Sequence, residues 1–144
     1  MTQEDKQLLL KDLSSRLPYG VKFFRESWNY ELDQELSVIE VLEDIDKDGY
    51  INNTKVYTVE DIKPYLHPLS SMTEEEFDDM FNKLYSAQEE VFRNCSNTDT
   101  IGKIIANDSV RYDYLNKKMF DYRGLIPKGL AIEVTEENNP YELD

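Results

Sequence analysis

The stretch Asp44-Ile45-Asp46-Lys47-Asp48-Gly49-Tyr50-Ile51-Asn52 sets oxygen-bearing side chains at alternate positions around a glycine. That is how an EF-hand calcium loop opens: oxygens from positions 1, 3, 5 and 9, a glycine at 6 for the sharp turn, an aliphatic residue at 8. Asp44, Asp46, Asp48 and Asn52 are therefore the candidate metal ligands, and calcium binding through residues 44–55 is one functional reading. Two features oppose it. Position 12 should bring a bidentate glutamate and is Lys55, which removes two oxygens and adds a repelling charge. The incoming segment is also out of register, with Glu43 and Glu40 where an EF-hand helix needs apolar residues. β-Branched residues ahead of the Asp46-Lys47-Asp48-Gly49 turn favour a β-hairpin instead.

Other chemically capable residues lack partners at useful spacing. His67 is the only histidine, set between Leu66 and Pro68 in a rigid segment, and reads as a hydrogen-bonded structural residue. Ser70 and Ser71 stand before a helix start with no nucleophile elbow around them, and Cys95 sits near a helix end as an inert thiol. Glu74, Glu75, Glu76, Asp78 and Asp79 form the solvated, dipole-favoured first turns of a helix. The glycines are scattered, so no phosphate-cradling loop exists. No catalytic constellation and no cofactor are implied.

The elements that must position these residues make an α+β domain. Thr2 caps a helix whose apolar stripe is Leu9, Leu10, Leu13 and Leu17, ended by Pro18-Tyr19-Gly20. Val21–Glu26 reads as a strand, and 27–34 as a loop from which Trp28 and Tyr30 fold back on the core. Leu36–Ile45 and Tyr50–Val59 form the hairpin, completing a small antiparallel sheet of three to four strands. Ile62 to Pro68 carries two prolines and reads as a rigid crossing segment, neither helix nor central strand.

Thr73 and Glu76 make a capping box, with Met72 and Phe77 as its hydrophobic staple, for a long helix to about Arg93. Its apolar face is Phe77, Met80, Phe81, Leu84, Val91 and Phe92. Residues 94–107 have no decided conformation; a short C-terminal helix begins at Asp108 or Ser109, and Leu130–Val134 is a final strand. The domain is expected to occupy residues 1–134, with an acidic, frayed tail over 135–144.

Composition narrows the partners. Thirty acidic against sixteen basic residues leave a net charge of −14, which repels phosphate backbones and disfavours duplex nucleic acid and anionic membranes. A basic protein partner remains compatible. The chain has one cysteine, hence no internal disulfide, and its charged start is neither a signal peptide nor a membrane span; a cytoplasmic location is expected.

Three blocks carry a resemblance. They are Asp5 to Lys22 (DKQLLLKDLSSRLPYGVK), Ile62 to Glu76 (IKPYLHPLSSMTEEE), and Tyr114-Leu115-Asn116 with Phe120 to Ile126 and Lys128 to Ala131. Together they resemble a family of uncharacterised small proteins of gut Bacteroides species and their phages or mobile elements. The resemblance implies a small accessory protein and carries over no site residues; the family pattern departs from this chain at His67 and near Tyr114. The first functional reading is thus a non-enzymatic accessory protein that acts by protein–protein contact through an acidic surface. Calcium binding is the alternative, and an enzyme of unrecognised type the third.

Overall fold

The computed structural model describes residues 1–94 and 100–142, without the side chains of Trp28, Asn29, Gln88, residues 90–94 and residues 100–107. Helix α1 spans Gln3–Arg16, and Thr2 caps it by accepting the Asp5 N–H at 3.0 Å. Pro18 lies in a 3-10 turn after it, and Gly20, at φ 74°, lets the chain reverse into the sheet. The buried face of α1 differs from the expected stripe. Leu9 and Leu13 are fully buried, Leu10 and Leu17 sit at the margin, and the rest of the face is Asp12 and Arg16.

Strand β1 (Lys22–Asn29) pairs antiparallel with β2 (Gln34–Val41) from Lys22↔Val41 to Asn29↔Gln34. The hairpin therefore lies earlier than expected. Its turn is Tyr30–Asp33, with Asp33 at φ 50°, and Tyr30 is 87% exposed instead of folding back on the core. Around Asp46–Gly49 the turn exists, yet only single bridges flank it, Ile45↔Ile51 and Tyr50↔Thr58. Asn52 and Asn53, at φ 49° and 58°, bend the chain out of strand geometry before a ladder can grow. The segment still feeds the core through Leu42, Ile51 and Val59.

Strand β3 (Ile62–Pro68) corrects the reading of a crossing segment, for it is central in the sheet order β2-β1-β3-β4. Its first half pairs antiparallel with β1 at residues 62–64. Its second half pairs parallel with β5 (Ile132–Glu133) and β4 (Phe120–Asp121), so the sheet is mixed rather than wholly antiparallel. Pro64 stands where pairing with β1 stops, and Pro68 is the last residue, so neither interrupts a continuous ladder.

Helix α2 (Glu74–Asn94) packs against α3 (Thr100–Lys117). Helix α3 is longer than the short helix expected from Asp108; Asp108 and Ser109 lie inside it. The final strand is two residues long, and the tail beyond it is tied down at Tyr141. The Tyr141 hydroxyl donates to the Tyr65 carbonyl at 2.7 Å and accepts the Lys22 N–H at 3.0 Å, and burial pushes this phenol far above its ordinary pKa. Among the described residues no helix is long and apolar enough to cross a membrane.

Two apolar clusters result: a main core of α1, the sheet and the 42–59 segment, and a smaller one of Met80, Tyr114, Leu115 and Phe120. A fully buried ion pair joins them. Arg16 Nε and Nη2 donate to the two Asp12 carboxylate oxygens at 2.9 and 3.0 Å; Nη2 also reaches the Phe120 carbonyl at 2.7 Å, and Nη1 the Leu115 carbonyl at 3.3 Å. Arg123 Nη1 adds a third bond to Asp12 at 2.8 Å. Removing Asp12 strands two cations, so Asp12→Ala should cost about 3–5 kcal/mol in urea denaturation. Arg123→Ala, which leaves the buried pair whole, should cost clearly less.

Candidate interaction face

The four candidate metal ligands do not converge. The Asp46 carboxylate accepts the N–H groups of Asp48 and Tyr50, both at 2.9 Å, and so closes the turn on itself. The Asn52 side chain faces the other way. Its carbonyl accepts the Glu43 N–H at 2.7 Å and the Asp44 N–H at 3.3 Å, while its amide donates to the Val41 carbonyl at 2.9 Å. Asp44 and Asp48 make no side-chain hydrogen bond among the described residues. No helix flanks this loop on either side, since β2 precedes it and a 3-10 turn at Val59–Asp61 follows. Among the described residues no group of three or more His, Cys, Asp or Glu side chains is placed to hold a metal ion. Asp46 and Asn52 are thus the residues that shape this loop.

His67 is held by rings rather than by the expected hydrogen bond. Phe120 and Tyr141 lie with centroids 5.7 and 6.2 Å from its own, and no side-chain hydrogen bond is formed among the described residues. It lines a cavity of about 480 Å³ with Ser71, Thr73, Glu76 and Glu142 among others. Ser71 donates to the Pro68 carbonyl at 2.7 Å, so its hydroxyl serves the chain reversal and is not paired with His67. Burial lowers the His67 pKa, against a weaker upward pull from Glu76 and Glu142. Cys95 lies outside the described residues.

The acidic start of α2 is built as its residue types require. Glu76 N–H donates to Thr73 Oγ1 at 3.1 Å and the Thr73 N–H to the Glu76 carboxylate at 3.1 Å, the reciprocal capping box. The helix rests on the sheet side through buried Met80 and half-buried Leu84, against Tyr114 and Leu115. Tyr114 fixes the pair of helices by donating its hydroxyl to the Glu76 carbonyl at 3.0 Å. Three aromatic residues of α2, Phe77, Phe81 and Tyr85, do not join this core. Phe77, Phe81 and Tyr85 are 53%, 59% and 59% exposed. Spacing of four puts them in one row on the helix, bordered by exposed Glu74, Glu75, Asp78, Asn82 and Glu89. The expected apolar face of α2 therefore splits, Met80 and Leu84 forming a core row and Phe77 and Phe81 part of an outward row; the side chains of Val91 and Phe92, the rest of that face, lie outside the described residues.

No known protein family, curated protein or solved structure matches the chain.

Two outcomes check this geometry. Asn52→Ala removes three hydrogen bonds and places alanine at positive φ, so it should cost about 2–3 kcal/mol. Asp44→Ala should cost little, the reverse of the order a calcium loop would give, and millimolar calcium should move neither melting midpoint. For His67 the folded pKa lies below the unfolded value, so the unfolded chain binds the extra proton. Stability should therefore fall as pH drops from neutrality through the unfolded value of 6.5. His67→Gln should flatten that slope between about pH 7 and 5.5, read from urea midpoints.

Proposed function

We propose that this chain is a non-enzymatic accessory protein that acts by protein–protein contact, and that the contact is made by the outward row of α2. The observation that supports this most is the exposure of Phe77, Phe81 and Tyr85 on one acidic helix face. With each more than half exposed to water, three aromatic side chains in a row forfeit burial of about 1 kcal/mol each, which a monomer does not recover. Aromatic anchors supply most of the energy at protein interfaces, and a surrounding rim of one charge sign selects the partner and speeds encounter. The rim carries carboxylates, so the matching partner presents an apolar groove edged by lysine or arginine.

A cytoplasmic setting, a lack of duplex-DNA binding and membership of the mobile-element family resembled by the three sequence blocks all belong to this proposal. The net charge of −14 supports the second of these through repulsion of phosphate backbones. A partner recovered with the intact chain and then purified should lose at least about tenfold in affinity on Phe81→Ala, with melting unchanged. Raised salt should slow its association more than it speeds release. Equal affinity for the Phe77, Phe81 and Tyr85 alanine variants would overturn the proposal, as would a row occluded by self-association in sedimentation.

A further inference from the structure

A second cleft differs from every other cavity described in this molecule. The cavities at Phe24, at His67 and at Glu75 are each lined by two or more carboxylates. The fourth, of about 530 Å³, is lined by Lys11, Ser15, Tyr112, Asn116, Tyr122 and Arg123 and by no acid. In a chain with thirty acidic residues, a lining whose charged side chains are cations alone sets this cavity apart from the other three.

Around the cleft cations outnumber carboxylates for a definite reason: Arg16 and Arg123 share the single carboxylate of Asp12. Arg16 already neutralises Asp12 through a bidentate pair, so the Arg123 bond to the same carboxylate at 2.8 Å adds orientation and leaves its charge in surplus. A second bond, from Nη2 to Ser15 Oγ at 3.1 Å, and the Tyr122 ring 4.5 Å from the guanidinium carbon hold Arg123 at the wall. Lys11 makes no ion pair among the described residues. The Tyr122 hydroxyl donates to the Asn116 side-chain carbonyl at 2.8 Å, which aligns that amide and leaves its N–H groups without a partner among the described residues. Tyr112, half-exposed, meets Tyr122 at 5.2 Å between centroids and gives the cleft an aromatic flank.

We propose that this cleft binds a small phosphate monoester, its phosphoryl group on Lys11, Arg123 and the Asn116 amide and its organic part against Tyr112. Two surplus cations match a phosphate monoester, which carries close to two negative charges at neutral pH, better than they match a carboxylate. The fixed guanidinium loses little freedom on binding, and a planar organic group adds ring contact. This site is separate from the α2 row and does not depend on it.

Calorimetric titration of the full chain with phenyl phosphate and with inorganic phosphate, at low ionic strength, tests the assignment. Phenyl phosphate should saturate one site and bind more tightly than inorganic phosphate. Lys11→Glu should weaken both probes by about tenfold or more. Tyr112→Ala should weaken phenyl phosphate alone. Both side chains are exposed, so both variants should melt as the parent does. The proposal is overturned if neither probe saturates by about 10 mM, a range where any specific site of this charge would be filled. It is equally overturned if both folded variants bind phenyl phosphate as the parent does.

Discussion

Arg16 lies with its guanidinium wholly out of water, and the rest of the chain is arranged so that this is tolerable. A buried guanidinium needs a counter-charge and acceptors for its remaining N–H groups. Asp12, one helical turn earlier, provides the charge, and the acceptors come from elements about a hundred residues away in sequence. The Leu115 carbonyl belongs to the last turn of α3, where carbonyls lack helical partners and the helix dipole favours a cation. Arg16 is in effect the C-terminal cap of a helix it does not belong to. The Phe120 carbonyl then fixes where β4 begins. Between them Met119 takes a left-handed conformation, φ 61°, usually left to glycine, and its carbonyl accepts the His67 N–H at 2.7 Å. One ion pair thereby sets the angle of α1 on the sheet, the end of α3 and the register of β4 on β3.

Local signals were legible wherever the chemistry is local. The Thr2 cap, the Thr73–Glu76 box and the Pro18–Gly20 stop depend on residues within four positions and are found as read. What escaped depends on partners distant in sequence. Two prolines argue against a central strand only if one partner runs the whole length of each edge; β3 changes partners at Pro64, which sequence spacing cannot reveal. Asp46–Gly49 was correctly a turn, but turn chemistry does not say whether strands leave it, and two left-handed asparagines decided that they do not. For Asp12 and Arg16 a signal did exist. They lie three and seven residues after Leu9, on the same face as Leu13, so the apolar stripe of α1 already contained two charges. An i,i+4 acid–base pair ordinarily reads as a solvated surface bridge, and only the acceptors beyond residue 114 turn it into a core element.

Helix α2 shows the complementary error, in which an apolar pattern was credited with more burial than the fold contains. Phe77, Met80, Phe81 and Leu84 span a broad arc on a helical wheel, and one neighbouring helix and a sheet edge can cover only part of it. Met80 and Leu84 take the covered part because the Tyr114 hydroxyl, bonded to the Glu76 carbonyl, fixes the rotation of α2 against α3. The outward row follows from that one constraint.

The same constraint separates the charges of the molecule. Glu74, Glu75, Asp78 and Asp79 project from α2, whereas Lys11 and Arg123 gather where α1 meets the C-terminal half of α3. Exposed charges farther apart than about 8 Å are largely screened at physiological salt, so each region presents its own sign to a ligand whatever the net charge. A net charge of −14 describes how the whole chain behaves at long range and in dilute salt. At contact range the relevant quantity is which acids a given cavity excludes. No carboxylate lines the cleft at Arg123, because Asp12, the acid that Arg123 bonds, is buried and held by Arg16.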